Sequence, residues 1–310
     1  MKSQSTPYNT MNVINNWYLS MKFLRPLDST AVRICLILIL VTIMIFASIL
    51  FPSSKETGTA KVYSEIVTHK DQTDASDSGI AGGSIQGDCK AGNRCLPIYC
   101  VQTEENGQKL AALSFDAAWG ADDTIRILDI LDAHQVKATF FMTGGWVDTY
   151  PDMVKEIYAR GHDLGNHSMN HKQMSKLSTA QQTQEIKDVG DKVLTLTGYQ
   201  MFLFRPPYGD YNTRLIETSY HNNYYPIQWS VDSLDWKDYG TASIIKNVVN
   251  NPALDSGSII LMHNGAKYTA DALDSVIAGL KERGYTPVPI SQLILRENFH
   301  MDGTGKQIAD

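Results

Sequence analysis

The sequence lacks an excess of positive charge, since 27 lysines and arginines are set against 33 acidic residues, for a formal net charge of −6. Nucleic-acid-binding domains carry a basic patch or stripe, so this balance disfavours nucleic acid as a partner. The composition is otherwise that of an ordinary folded protein, with 43% hydrophobic and 19% charged residues. A chain of 310 residues with this proportion of apolar side chains can bury a sizeable core.

Cysteine is also scarce, with four in the chain. Cys35 stands apart, whereas Cys89, Cys95 and Cys100 cluster shortly before the main run of predicted elements. These three thiols have neither a CxxC spacing nor a histidine among them, which disfavours a zinc knuckle. In an oxidising compartment they favour one disulfide with one thiol left over, and the sequence leaves the pairing open.

One stretch, residues 34–51, lacks charge and glycine altogether. As a helix it would be about 27 Å long, close to the hydrocarbon thickness of a bilayer. A signal peptide is the alternative, but its apolar region is usually about 7–15 residues and ends at small residues. The longer run, followed by Phe51-Pro52, favours an uncleaved transmembrane helix.

The flanking charges predict the orientation of this helix. Four basic residues precede it against one acid, Asp28, and positive charge is retained in the cytoplasm. The expected organisation is a cytoplasmic segment over 1–33 and a single-pass helix in the cell membrane over 34–51. An extracytoplasmic linker follows over 52–108, because much of this stretch is rich in Ser, Thr, Asp, Gly and Lys.

From Lys109 onward, short apolar runs alternate with amphipathic stretches. Strands are predicted at KLAALSF, VKATFFM, His162–Leu164, FLF, YYPIQW, SIILMH and YTPVPI, and helices at DDTIRILDILDAH, PDMVKEIYARG, Thr179–Thr197, Arg214–His221, Ala242–Val249 and Ala270–Arg283. This alternation implies parallel strands joined by right-handed crossovers. It predicts an α/β fold over 109–296, a compact or incomplete (β/α) barrel with an open doubly wound sheet as the alternative, and a tail over 297–310.

Polar residues follow several of these strands, where barrel enzymes place their chemistry. His167 and His171 are four residues apart, so on a helical turn they share a face and can chelate a divalent cation. Taken alone, this spacing also fits surface or capping residues. Asp116 ends an apolar strand, which favours a role in the site. It could instead cap the next helix, but Asp122 and Asp123 lie nearer the start of that helix.

Three further segments add polar groups at strand ends. Arg205 lies in the rigid FRPPYG turn, from which it can orient a carboxylate, although such a turn can be purely structural. WSVDSLDW places acids and tryptophans beyond a strand, where the indoles serve either as sugar platforms or as core. His263 ends the very apolar strand SIILMH and is a candidate general acid rather than a buried core histidine.

The segments SFDAAWG, HSMNH, FRPPYG, WSVDSLDW and LMHN, in this order, resemble the five motifs of the polysaccharide deacetylases, the NodB-homology group of carbohydrate esterase family 4. The resemblance spans about Lys109 to Leu295. It implies a distorted (β/α) barrel of the NodB type that removes N-acetyl groups from peptidoglycan or chitin-like glycans. It also implies a divalent metal cofactor, zinc, with cobalt or manganese as alternatives.

The resemblance implies a role for each matched residue. Asp116 matches the catalytic base, His263 matches the general acid, and His167 and His171 match the metal ligands. Arg205 matches the arginine that orients the base, and Asp235 matches the aspartate that tunes the catalytic histidine. Tyr208 matches the residue whose backbone amide binds the oxyanion, and Trp236 matches a wall of the substrate pocket. One position departs from the pattern, because Ala117 stands where the family usually has a second aspartate, a metal ligand.

The departure at Ala117 leaves three alternatives for the metal: water or Asp116 completes the ligand set, Asp122 or Asp123 reaches in, or the site is weakened. The predicted function is therefore metal-dependent de-N-acetylation of N-acetylglucosamine or N-acetylmuramic acid units in the cell wall by a membrane-anchored hydrolase. A non-catalytic glycan-binding protein with the same fold is the alternative. An amidohydrolase acting on a small extracytoplasmic amide is a third, weaker hypothesis.

Overall fold

The computed structural model describes residues 95–103 and 108–310. The predicted membrane helix over 34–51, the cytoplasmic segment before it and most of the linker lie outside these residues. Among the described helices, none is both long and apolar enough to cross a bilayer. Cys95 is disulfide-bonded and Cys100 is free.

One 11-stranded sheet organises the described residues. Its strands are β1 (Cys100–Val101), β2 (Lys109–Ala117), β3 (Thr139–Met142), β4 (Asp163–Asn166), β5 (Leu203–Phe204), β6 (Tyr225–Pro226), β7 (Val231–Asp232), β8 (Ser258–His263), β9 (Tyr285–Val288), β10 (Phe299–Met301) and β11 (Lys306–Ala309). The strands β8, β2, β3, β4, β5 and β6 are neighbours in this order, and every pair among them is parallel.

These six parallel strands form an α/β half-barrel. A parallel bridge between Ile98 and Ile227 ties the end of β6 to the segment that continues into β1. That segment reaches β8 through the antiparallel pairing of Cys100 with Ser258. The prediction of an incomplete (β/α) barrel is confirmed, and the open doubly wound alternative was wrong because the sheet curls back on itself through this bridge.

The helices of the described part are α1 (Thr124–Ala133), α2 (Gly144–Thr149), α3 (Pro151–Ala159), α4 (Thr179–Thr197), α5 (Thr213–His221), α6 (Thr241–Val249), α7 (Thr269–Glu282) and α8 (Ile290–Leu293). Three 3₁₀ turns, Met174–Lys176, Pro207–Gly209 and Asp235–Lys237, complete the regular elements.

The alternation of side chains along β2 explains how the strand serves both the core and the site. Leu113 and Phe115 belong to the larger apolar cluster, which contains the inward faces of most helices, whereas Ala112 belongs to the second cluster. Side chains two residues apart share a face of a strand, so Asp116 lies on the same side as Ala112. The strand therefore delivers a carboxylate to the carboxyl end of the barrel from an otherwise apolar sequence.

The structure differs from expectation in several elements, three of which bear on the ends of the domain and on the site. The segment over 297–310, expected as a tail, contains a β10–β11 hairpin that pairs with β1, and Gln307 is buried and hydrogen-bonded to the backbone of Leu295. The strand β1 itself lies within the expected linker. The helix α2 was not anticipated, because it begins with two glycines, which are poor helix formers.

Candidate active site

A cavity of about 430 Å³ opens at the carboxyl ends of the barrel strands. It is lined by Asp116, Trp119, His167, His171, Tyr208, Trp229, Asp232, Trp236, Leu261 and His263. The two predicted orienting residues, Arg205 and Asp235, are buried directly behind this wall and contact its catalytic candidates. The structure thus brings all the predicted site residues together, although their chemical roles remain predictions.

Asp116 and Arg205 form a buried ion pair. Asp116 Oδ1 accepts a hydrogen bond of 2.7 Å from Arg205 Nη1, and Arg205 Nη2 donates to Ser114 Oγ at 2.9 Å. The guanidinium also stacks on the Phe141 ring, 4.1 Å from its centroid. Burial raises the pKa of Asp116, but the charge of Arg205 and its hydrogen bond outweigh burial, so the pKa lies below its usual value. Asp116 is therefore an ionised carboxylate at neutral pH.

His167 and His171 present their Nε2 atoms to each other at 3.2 Å. His167 Nδ1 lies 2.7 Å from the Arg205 carbonyl, and since a carbonyl only accepts, Nδ1 carries the proton and Nε2 is left as the basic nitrogen. Burial lowers the pKa of His167 to about 4 and lowers that of His171 as well. Both rings are thus neutral at pH 7, which is the form that binds a metal.

The residues around this histidine pair fit a metal ion only in part. Asp116 Oδ2 lies 3.5 Å from His167 Nε2, while its other oxygen is held by Arg205. Ala117 has no ligand atom and is fully buried in the larger apolar cluster. Asp123 Oδ1 accepts from the Gly265 amide at 2.9 Å. In the parts of the chain described by the structure, no group of three or more His, Cys, Asp or Glu side chains is arranged to hold an ion.

On the other side of the cavity, His263 pairs with Asp235. His263 Nδ1 donates to Asp235 Oδ1 at 2.7 Å, and Asp235 Oδ2 accepts from the Thr269 hydroxyl at 2.6 Å. Burial lowers the pKa of His263, but the hydrogen bond and the charge of Asp235 outweigh burial, so the pKa lies above its usual value. The Trp119 ring stacks on His263, with centroids 5.5 Å apart and planes 19° apart.

Sequence reasoning did not assign roles to Trp119 and Thr269. Trp119 was visible within the SFDAAWG motif, two residues past the strand, so its place in the site could have been inferred. Thr269 carried no such signal, because it lies 34 residues from Asp235 at the start of an ordinary amphipathic helix.

Large aromatic side chains surround the mouth of the cavity. Tyr208 is 66% exposed and Trp236 is 53% exposed, so both rings offer accessible surface beside the cavity. Tyr208 adopts a φ of +62° within its 3₁₀ turn, and its ring lies 4.5 Å from that of His171. Trp236 is fixed by a hydrogen bond from its amide to Asp235 Oδ1 at 2.9 Å. Exposed rings with polar neighbours suit a ligand that has both apolar and hydroxylated faces.

A family model for polysaccharide deacetylases matches residues 103–227. The chain is 36% identical over 201 residues to a peptidoglycan-N-acetylglucosamine deacetylase of Bacillus cereus, an alignment that covers 63% of this chain and 93% of the relative. It is 40% identical to the peptidoglycan-N-acetylglucosamine deacetylase PgdA of Listeria monocytogenes over 185 residues. That alignment covers 60% of this chain and 39% of PgdA, so the chain spans well under half of that relative.

Among solved structures, the chain is similar to a carbohydrate esterase family 4 pseudoenzyme from Bacillus anthracis, with 32% identity and a TM-score of 0.60. The likeness covers 64% of this chain and 69% of the pseudoenzyme. A mutant of that pseudoenzyme with restored enzymatic activity matches equally well, with a TM-score of 0.60.

Proposed function

Since the chain belongs to the polysaccharide deacetylase family, a family of hydrolases, we propose that it removes N-acetyl groups from cell-wall glycan. The proposed substrates are N-acetylglucosamine or N-acetylmuramic acid units of peptidoglycan, or chitin-like oligosaccharides. One observation carries the proposal: Asp116 and His263 line the same cavity with pKa values displaced in opposite directions. A carboxylate with a lowered pKa suits a general base, and an imidazole with a raised pKa suits a general acid.

Asp116 is the proposed base. Its carboxylate accepts a proton from the attacking water, whose oxygen forms the new bond to the acetyl carbon. Arg205 holds Oδ1 and so leaves Oδ2 directed to the cavity beside His167. Because Arg205 is itself fully buried and hydrogen-bonded to Ser114, the base is fixed before substrate arrives.

His263 is the proposed acid. As the bond between the acetyl carbon and the sugar nitrogen breaks, its imidazolium protonates the departing amine, and acetate and the free amino sugar are the products. Asp235 holds Nδ1, which leaves Nε2 as the donor to the cavity. Burial lowers the pKa of His263, but the hydrogen bond and charge of Asp235 raise it further, which extends the protonated form of the ring to higher pH.

His167 and His171 would hold the proposed divalent cation, zinc or alternatively cobalt or manganese. When bound, such an ion supplies polarisation of the acetamide carbonyl. The neutral state of both rings and the buried hydrogen bond of His167 to the Arg205 carbonyl support this role. The described residues supply two protein ligands where a catalytic zinc site usually has three, so we expect weaker affinity than in relatives with an aspartate at position 117.

Mass spectrometry of muropeptides and chitin oligomers after incubation with the full-length chain tests the proposed substrates. Loss of acetyl groups from one sugar type identifies the substrate. Unchanged glycans, in the presence of zinc, cobalt or manganese, would contradict the proposal.

The alternative function, glycan binding without catalysis, is favoured by one observation, the alanine at position 117. It predicts that the wild-type chain binds N-acetylated oligosaccharides equally well with and without chelator and releases no acetate. It further predicts that Ala117→Asp gains both metal affinity and acetate release. Turnover by the wild-type chain would exclude it.

We also propose that a helix over 34–51 anchors the protein in the cell membrane, with 1–33 in the cytoplasm and the catalytic domain outside. The uncharged apolar sequence of this stretch and the basic residues before it support the proposal. Detergent-dependent extraction from membranes, together with cleavage of the 109–310 region by protease added to intact spheroplasts, is the expected result. Recovery of the full-length chain in the soluble fraction would contradict it.

A further inference from the structure

The loop that carries His171 has an unfavourable backbone. Ser168 and His171 adopt φ values of +65° and +51°, in the left-handed region that non-glycine residues rarely occupy. Such conformations persist only where surrounding contacts over-determine them. The loop over 168–172 is therefore held in place by other parts of the protein, and those contacts decide where His171 lies.

Glu185, on helix α4, makes most of these contacts. Its Oε2 accepts from the Asn170 amide at 2.8 Å, and its Oε1 accepts from Asn170 Nδ2 at 2.9 Å and from Lys172 Nζ at 2.7 Å. Its main-chain carbonyl accepts from the Met169 amide at 2.9 Å. The carboxylate is 5% exposed, so it is buried against the two residues that flank His171.

The next residue of α4 holds the other end of the loop. The Ile186 carbonyl accepts from Asn166 Nδ2 at 2.7 Å, and Asn166 Oδ1 accepts from the Ser168 amide at 2.9 Å. Ser168 Oγ then accepts from the His171 amide at 3.0 Å. Two consecutive helix residues thus fix both ends of the turn that separates His167 from His171.

A purely structural role accounts poorly for a carboxylate at this position. Of the other buried positions of α4, Ile186, Val189 and Val193 are apolar, whereas Gln182 is polar and uncharged. Burying a charge there is costly unless donors surround it, and the side-chain donors to Glu185, Asn170 and Lys172, both belong to the loop. Hydrogen bonds from Lys172 and Asn170 outweigh burial and lower the pKa of Glu185, so it is an ionised acceptor.

We infer that Glu185 is a positioning residue that, by clamping Asn170, places His171 Nε2 against His167 Nε2. The effect of Glu185 on catalysis rests on the proposed function, but its effect on the geometry of the loop does not. Glutamine at this position would keep the shape of the side chain while turning an amide NH₂ towards Asn170 Nδ2 or towards the Asn170 amide. The first orientation loses the hydrogen bonds from Asn170 Nδ2 and Lys172 Nζ, and the second loses the one from the Asn170 amide.

Amide hydrogen exchange of the full-length chain, measured residue by residue, tests the inference. For Glu185→Gln we expect exchange at Asn170 and His171 to rise at least tenfold while the amides of β2 and β3 keep their wild-type rates. The matched control is Glu156→Gln, a half-buried glutamate of α3 that pairs with Arg160, for which the loop should be unchanged. Should Glu185→Gln fail to fold, Asn170→Ala removes the same side-chain hydrogen bond from the exposed side, and the same criterion applies to His171.

A second readout is zinc affinity, which we expect to fall about 10- to 100-fold in Glu185→Gln, as for other residues that orient a metal ligand. Unchanged loop exchange, or a rise spread evenly over the protein, would overturn the inference. A wild-type chain that binds no zinc would contradict the proposed metal role instead, and the exchange rates would still decide the role of Glu185.

Discussion

Asp235 accepts hydrogen bonds from both the side chain and the main chain of His263, each at 2.7 Å, one on each carboxylate oxygen. This double contact fixes the imidazole in position and in tautomer, because the proton on Nδ1 is committed to Asp235. Thr269, the first residue of α7, donates a further hydrogen bond to this carboxylate through its hydroxyl. One buried residue, Asp235, therefore orients the proposed acid and raises its pKa.

We expect Asp235→Asn to shift the alkaline limb of the pH–rate profile of acetate release to lower pH. The raised pKa of His263 depends on the hydrogen bond and charge of Asp235, and an acid acts only below its own pKa. Activity that is retained up to the raised pKa in the wild type should thus be lost earlier as pH rises. The control is Asp238→Asn, an exposed aspartate of the same loop. An alkaline limb that coincides with that of the wild type would show that Asp235 does not set the pKa of the acid.

Asp116→Asn should lower turnover about 10²- to 10⁴-fold, the usual contribution of a general base. It should also destabilise the fold, because Arg205 is fully buried and removal of its partner leaves an uncompensated charge, at a cost of up to about 3–5 kcal/mol. Acetate release and urea unfolding measure the two effects, with Asp152→Asn, at an exposed aspartate of α3, as control. Undiminished turnover would mean that another group is the base.

His171→Ala should abolish the binding of divalent metal while the barrel stays folded, because His171 lies on a loop after β4 rather than in the core. Equilibrium dialysis with zinc, alongside circular dichroism, measures both quantities. His221→Ala, at an exposed histidine that ends α5, is the matched control. A variant that still binds zinc with wild-type affinity would remove His171 from the ligand set.

His162 should make the stability of the fold depend on pH between about 6.5 and 4. It is 3% exposed, its Nε2 has no hydrogen-bond partner within the described residues, and burial lowers its pKa to about 4. The unfolded chain binds this proton near pH 6.5 and the folded chain only near 4, so the free energy of unfolding falls by up to about 3 kcal/mol as pH falls through this window.

His162→Asn tests this prediction, since the amide oxygen can still accept from the Ala138 amide that now donates to Nδ1. Denaturant unfolding between pH 4 and 7 should give a flatter pH dependence for this variant than for the wild type. His221→Asn should retain the wild-type slope. Equal slopes for His162→Asn and the wild type would show that another group causes the acid sensitivity.

Helices and strands that are determined by their own residues and immediate neighbours could be predicted from the sequence. The helix α4 was predicted at its observed bounds from its amphipathic spacing. The structure shows that both ends are set locally, since Ser178 and Gln181 form a capping box at its start and Gly198, with φ +75°, ends it. The helix α2 was missed, because its glycines are placed by contacts from elsewhere: the Gly144 amide donates to the Ser168 carbonyl. The β10–β11 hairpin likewise depends on pairing with β1, about 200 residues earlier in the chain.

The site could be predicted as far as its residues occur in ordered motifs. Asp116, His167 and His263 stand at strand ends with recognisable neighbours, so their convergence followed from a parallel sheet. Two residues that contact these side chains or their loops, Glu185 and Thr269, could not be predicted from the sequence. Both lie on helices with an ordinary amphipathic pattern, which does not mark any one position as part of the site. Ala117 changes how tightly a metal ion binds, and an affinity follows neither from the spacing of residues in the sequence nor from their burial.

Acetate release from N-acetylated peptidoglycan and chitin oligomers by the purified full-length chain tests the central claim most directly, measured with added zinc, cobalt or manganese and again with chelator. The account predicts metal-stimulated release that Asp116→Asn lowers about 10²- to 10⁴-fold. The absence of release from folded protein, with every metal and on both substrates, would contradict it and favour a glycan-binding role.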